Sequence, residues 1–250
     1  MSPLAVVAGA GLIAGMMNAL AGGGSFVTLP ALIAAGVPSV NANTSSTVAL
    51  FPGTLMSAWT YRDGLGPIGS VRLRSLLIAT FIGGALGAVL LLRTPVETFD
   101  LVLPWLLAIA TVALAIGSRL GEILRRHWRI SAAAVLVVQF CLGIYGGYFG
   151  GGVGIMMMAV WSLLGERTLK SFNAPRTLLI SAANVIAVLI FIAAQSVRWR
   201  EASVMLVAAT LGGYCGALIG RRAPAAMVRA GTLLLSISIT AAFFVRAYLR

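Results

Sequence analysis

The sequence predicts an all-α, polytopic membrane protein made of two five-element helical repeats, the second inverted relative to the first, each with a glycine-broken hairpin. Three observations carry this expectation. Hydrophobic residues make up 60% of the chain and charged residues only 10%. Apolar runs recur at close to the roughly 20 residues that cross a bilayer core of about 30 Å. Three consecutive glycines occur twice, Gly22-Gly23-Gly24 and Gly150-Gly151-Gly152, 128 residues apart, and each triplet follows another glycine seven residues upstream, Gly15 or Gly143. Glycine weakens a helix more than any residue but proline, so each triplet specifies a break inside a run that would otherwise continue.

The elements follow in order. Leu4–Leu20 is a long apolar run that ends at the first triplet, and Phe26–Ala35 follows it. At 10 residues the second element reaches only about 15 Å as a helix, too short to span alone but long enough to return the chain toward the side it left. Thr44–Thr60, Leu76–Leu92 and Leu101–Ile116 complete the first set. The second set is Ala132–Phe149, Val153–Leu164, Leu178–Ala194, Val204–Ile219 and Met227–Phe244. Internal matches support the pairing: Gly83-Gly84-Ala85-Leu86-Gly87-Ala88 answers Gly212-Gly213-Tyr214-Cys215-Gly216-Ala217, and Arg93-Thr94-Pro95 answers Arg222-Ala223-Pro224, both at an offset of 129. Asn41-Ala42 answers Asn173-Ala174 at 132. The organisation is therefore residues 1–118 as the first membrane repeat, 119–130 as a basic connector and 131–250 as the second repeat.

A net charge of +12 would suggest nucleic acid in a soluble domain. Here the basic residues cluster between apolar runs, so the bilayer surface is their partner and no nucleic acid is expected. If each triplet closes a hairpin, the loops near residues 62–74, 119–129, 167–176 and 221–229 share one face, which holds 13 of the 18 Lys and Arg residues. Treating each broken segment as a single crossing gives 11 against 7 instead. The positive-inside rule favours the hairpins, with inverted halves and both termini outside. No Lys or Arg precedes Arg62, so the N-terminus lacks the basic flank of a signal peptide and is expected to stay as a membrane segment. Cys141 and Cys215 lie within apolar runs and the one histidine, His127, sits in the connector. Neither a disulfide framework nor a His/Cys metal site is expected, and no cofactor is called for.

Candidate ligand residues gather at the breaks. A helix that starts just after glycines offers unpaired N–H donors and a partial positive charge to an anion able to approach the backbone closely. This puts Asn18, Gly22, Gly23, Gly24 and Ser25 at one anion cradle, and Tyr148, Gly150, Gly151 and Gly152 at the other. Isolated pairs such as Gly83-Gly84 read as packing glycines. Asn41, Asn43, Thr44 and Ser45 belong to a small polar run opening the third element, which serves as a helix cap alone or as a cap with ligand contacts. In the second half Asn173 and Arg176 occupy the equivalent stretch and Asn184 follows about two turns later. Arg176 either snorkels to the interface or pairs with a substrate oxyanion. All six acids lie at segment ends or in loops, which disfavours a carboxylate proton relay, and the single histidine leaves no convincing base for hydrolysis. An enzyme is not expected.

The glycine segment followed by Asn41-Ala42-Asn43-Thr44-Ser45, and repeated as Tyr148-Phe149-Gly150-Gly151-Gly152 with Asn173 and Asn184 downstream, resembles the TauE/SafE family over essentially the whole chain. The resemblance implies a multi-pass permease of the bacterial inner membrane that exports small anions such as sulfite, organosulfonates or related carboxylates. Asn173-Ala174-Pro175-Arg176 departs from the Asn/Thr/Ser pattern of the first half, which bears on the substrate more than on the fold. The expected mechanism binds the anion between the two glycine-broken helices. A non-transporting scaffold or assembly protein, or an anion channel, is the alternative.

Overall fold

A computed structural model describes residues 2–20, 23–68, 70–127, 131–162, 172–220 and 225–249. Of the described residues 87% are helical and none lies in a strand, apart from an isolated bridge between Ile68 and Val71. In chain order the helices are α1 (Pro3–Leu20), α2 (Ser25–Ala34), α3 (Ser39–Thr60), α4 (Leu73–Arg93), α5 (Val96–His127), α6 (Ala132–Tyr148), α7 (Val153–Ser162), α8 (Asn173–Ala193), α9 (Trp199–Gly220) and α10 (Ala225–Tyr248). Among the described residues, four helical segments are long and apolar enough to cross a membrane: Leu73–Arg93, Val96–Ile116, Asn173–Ala193 and Met227–Tyr248. The chain is an all-α, multi-pass membrane protein.

Two boundaries differ from the sequence expectation. Helix α5 runs through His127, so most of the basic connector is helical rather than loop. Its Arg, Leu, Glu and Ile residues are adequate or good helix formers, and charge alone does not end a helix. Helix α3 begins at Ser39, which places Asn41, Asn43, Thr44 and Ser45 inside the helix instead of at its cap. Backbone supplies the start: the Ala42 N–H donates to the Pro38 carbonyl at 2.7 Å.

The chain packs as two compact units. One comprises Met1–Gly53, Leu92–Thr111 and Phe191–Arg250, the other Thr54–Leu91 and Val112–Ile190. Each unit therefore draws on both halves of the sequence.

In the first unit α1 and α9 meet at backbone contact, running in the same direction. A Cβ at Gly11 would lie 2.8 Å from the Met205 carbonyl oxygen, and one at Gly216 would lie 2.7 Å from Met16 Cα. Gly15 and Gly212 are closed by the carbonyls of Ala209 and Leu12. Such approach is possible only where both helices present small residues, as is usual between membrane helices. Elsewhere in this unit the hydroxyls of Thr111 on α5 and Thr240 on α10 share a buried hydrogen bond of 3.0 Å.

The second unit has a matching crossing between α4 and α6. A Cβ at Gly143 would lie 2.9 Å from the Thr80 carbonyl oxygen, while Gly83, Gly87 and Gly147 meet the backbones of Phe140, Ile144 and Gly84. Shifting each residue by 128 or 129 positions converts one crossing into the other: Gly83 against Phe140 corresponds to Gly212 against Leu12, and Gly87 against Ile144 to Gly216 against Met16. Gly143 against Thr80 likewise corresponds to Gly15 against Ala209. The core here joins Leu76, Val135, Leu142, Val153, Met157, Trp161 and Leu179. A buried polar chain crosses it, in which Gln139 donates to Thr80 Oγ1 at 2.8 Å and accepts from the Trp161 indole at 3.2 Å. Every member is satisfied, which is the condition for such a chain to stabilise a core.

Candidate functional site

Gly22 of the first break lies outside the described residues; Gly23 and Gly24 lie within them. Gly23 has φ +92°, a left-handed conformation natural to glycine alone among these residues. Beyond it the chain turns back beside α1, so that a Cβ at Gly24 would lie 2.8 Å from the Ala14 carbonyl oxygen. The break then closes on itself. The Asn18 amide oxygen accepts from the Gly24 N–H at 3.4 Å, and Thr28 Oγ1 donates to the Gly24 carbonyl at 3.3 Å. Thr28 also shares a hydroxyl hydrogen bond with Ser46 on α3. Ser25 opens α2, whose first-turn N–H groups at Phe26, Val27 and Thr28 return to the carbonyls of Gly23 and Gly24.

The polar run of α3 has a different task from the one its composition suggests. Asn41 Nδ2 and Thr44 Oγ1 both donate to the Ser196 carbonyl, at 2.7 and 2.8 Å, and Ser45 Oγ accepts from the Arg198 N–H at 2.9 Å. These side chains hold the turn after α8. Asn43 is buried and its carbonyl accepts from Thr47 Oγ1. Predicting this needed the location of the turn at residues 194–198, which sequence spacing does not reveal.

The second break is built from two left-handed glycines, Gly150 at φ +81° and Gly152 at φ +75°, with Gly151 between them. Gly150 ends α6, its N–H returning to the Tyr145 carbonyl at 3.2 Å in the manner of a helix C-cap. The Tyr145 hydroxyl donates to the Gly151 carbonyl at 2.9 Å and fixes the corner. Helix α7 then runs back along α6. Val153 lies over Gly146 near the corner, and Trp161 at the far end reaches Gln139, one residue pair after another in antiparallel order. Tyr148 is the last residue of α6, packed where Gly87 of α4 comes closest.

At the start of α7 the N–H groups of Gly151, Gly152, Val153 and Gly154 have no acceptor among the described residues. They form the positive end of the α7 dipole. Beside them lies Arg176, in the first turn of α8. Its stem packs on Gly154, its Nη1 reaches only the Met158 sulfur at 3.5 Å, and its buried Nε has no hydrogen-bond partner among the described residues. The ion pair found among those residues joins Arg62 to Asp63, at 3.8 Å, in the turn after α3, where a Cβ at Gly64 would lie 3.2 Å from Ala174 Cβ at the start of α8. Arg176 thus carries a partly buried cation against a thioether, which is a weak acceptor.

The remaining candidates lie on α8. Asn173 opens α8 and its carbonyl accepts from Thr177 Oγ1 at 3.0 Å. Asn184 Nδ2 donates to Thr54 Oγ1 at 3.3 Å, and Ser181 Oγ to the Thr54 carbonyl at 2.9 Å, which ties α8 to α3. The structure therefore brings Gly151, Gly152 and Arg176 to one corner and assigns Asn41, Thr44, Ser45 and Asn184 to holding helices together. Gly154 and Met158, which complete the corner, gave no signal in sequence beyond lying just after the triplet. No group of three or more metal-ligating side chains occurs among the described residues.

The family described as Sulfite exporter TauE/SafE matches residues 7–243. A Haemophilus influenzae protein named "Probable membrane transporter protein" is 28% identical over 95% of this chain and 93% of its own length. "Probable membrane transporter protein YfcA" of Escherichia coli K12 is 29% identical over 84% of this chain and 77% of its own. "Probable membrane transporter protein ORF9" of a Sinorhizobium species is 29% identical over 85% and 80%. No solved structure matches the chain. A polytopic helical chain with two glycine-broken corners, matched by that family over nearly its whole length, is a membrane transporter of the TauE/SafE family.

Proposed function

We propose that the protein is a secondary transporter that exports small anions, sulfite, organosulfonates or related carboxylates, across the bacterial inner membrane. The observation that carries the reading is Arg176, whose stem crosses the start of α7 at Gly154 and whose Nε lacks an acceptor among the described residues. A partly buried guanidinium with an unbonded Nε is costly, and an oxyanion at this corner offsets that cost with charge-assisted hydrogen bonds. The name of the matched family, a sulfite exporter, agrees with that chemistry. A negative-inside potential of about 100 mV favours outward movement of each negative charge by about 2.3 kcal/mol, so export needs no proton-carrying acid.

The reading includes a duplicated, inverted chain. Its support is the pair of glycine crossings that interconvert under a shift of 128 or 129 residues, and the bond between Thr111 and Thr240, which are separated by the same 129. The antiparallel return of α7 along α6 supports the hairpin form of the break, which in turn inverts the halves. The first break supplies Gly23, Gly24 and Ser25 to the transport cycle chiefly as a shaped corner, since Asn18 takes the Gly24 donor.

Reconstitution of the full chain in liposomes tests the proposal. Counterflow of radiolabelled sulfite, a sulfonate or a small carboxylate is expected, carried down the gradient of unlabelled anion. A protein that inserts correctly yet exchanges none of these supports a scaffold instead, and conductance without counterflow supports a channel.

A further inference from the structure

We infer that Gly154 sets the anion affinity of the second break by positioning the Arg176 side chain; the inference rests on the assignment of Arg176 to anion recognition above. Gly154 is the second residue of α7 and faces α8. Arg176 and Ile180 are one turn apart on α8, so both side chains emerge on the same face. Both meet the point where a side chain at 154 would begin. A Cβ there would lie 2.6 Å from Ile180 Cδ1, 3.2 Å from Arg176 Cδ and 3.4 Å from Arg176 Cγ. The arginine stem therefore lies across bare backbone. That placement lays the stem over the first turn of α7 and carries the guanidinium to Met158, whose Sδ lies 3.5 Å from Nη1.

The two contacts respond differently to an added methyl group. Ile180 Cδ1 is the end of a flexible side chain and can swing aside. The Arg176 stem is held partway along its length, so a few tenths of an ångström there move the whole fork. Bidentate pairing with an oxyanion depends on the fork's position and plane. Gly154 is thus a positioning residue, acting through Arg176 with no contact of its own to the anion required.

The test uses the full chain in liposomes, with sulfite counterflow giving half-saturation and maximal rate per transporter, and thermal unfolding in detergent reporting packing. Gly154→Ala should raise the sulfite half-saturation at least about threefold with little change in maximal rate. Ile180→Val removes Cδ1. In the Gly154→Ala background it should recover thermal stability and leave the raised half-saturation in place. Combined with Arg176→Gln, Gly154→Ala should raise half-saturation no further. The inference is overturned if Ile180→Val restores affinity together with stability, or if Gly154→Ala retains its full effect on a weakened Arg176→Gln protein. A wild-type half-saturation in Arg176→Gln alone overturns the assignment of Arg176, and this inference with it.

Discussion

The two glycine breaks share a sequence pattern and differ in what they leave unpaired. At the first, Asn18 accepts from the Gly24 N–H, Thr28 returns to the Gly24 carbonyl, and Thr28 bonds Ser46. At the second, Gly151 through Gly154 keep their N–H groups without acceptors among the described residues, and Arg176 lies alongside. The difference follows from a few positions. Asn18 corresponds to Gly146 at the offset of 128, so the second break has no side-chain acceptor at that position, and its Tyr145 hydroxyl bonds the Gly151 carbonyl instead. Thr44 corresponds to Arg176 at the offset of 132; the threonine hydroxyl is satisfied by the Ser196 carbonyl, whereas the arginine's hydrogen-bond contact among the described residues is the Met158 sulfur. At one corner a side chain takes a glycine N–H; at the other the side chain bonds a glycine carbonyl, and that is the corner we propose for the anion.

The comparison can be broken most completely by topology. In a background lacking Cys141 and Cys215, single cysteines replacing the exposed Ser70 and Arg200 should label from opposite sides of the membrane, inside and outside respectively. Labelling from one side would make the two breaks parallel copies and remove the inverted arrangement.

The next effect is on transport. Gly152→Val should abolish sulfite counterflow while leaving the protein in the membrane, because a β-branched residue is a severe outlier at φ +75° and the α7 donors depend on that corner. Retention of counterflow near the wild-type rate would show that the geometry of the corner is dispensable. A smaller and purely structural effect is expected at the first break. Asn18→Ala should lower stability by about 1 kcal/mol, as loss of a capping side chain does, with the sulfite half-saturation unchanged. A shift in half-saturation there, comparable to one at Arg176, would place ligand contacts at both breaks.

Much of the fold was legible because its signals are local. Glycine triplets interrupt helices wherever they fall, and apolar runs of spanning length admit few alternatives. The α4 and α9 glycine clusters were recognisable as packing surfaces, and the structure sets them against α6 and α1. Helix α5 was read too short because arginines suggested a loop, although a helix can leave the membrane and continue. The site was less legible. Asn41, Thr44 and Ser45 carry the polar groups expected of ligands, but their partners lie more than 150 residues away in the turn at Ser196 and Arg198. Long-range pairing of that kind leaves no trace in spacing. The burial of Arg176 against Gly154 and Met158 is equally a product of packing, since a cation near a helix start is as compatible with snorkelling as with recognition.

The central claim is that the second break recognises the anion through Arg176, and the affinity of two substitutions tests it most directly. Sulfite half-saturation should rise in Arg176→Lys, which keeps the charge and loses the planar fork, and rise further in Arg176→Gln, by about tenfold or more, once both are normalised to membrane abundance. A residue that only anchors α8 at the interface would tolerate lysine and alter abundance alone. Wild-type half-saturation in Arg176→Gln would contradict the account.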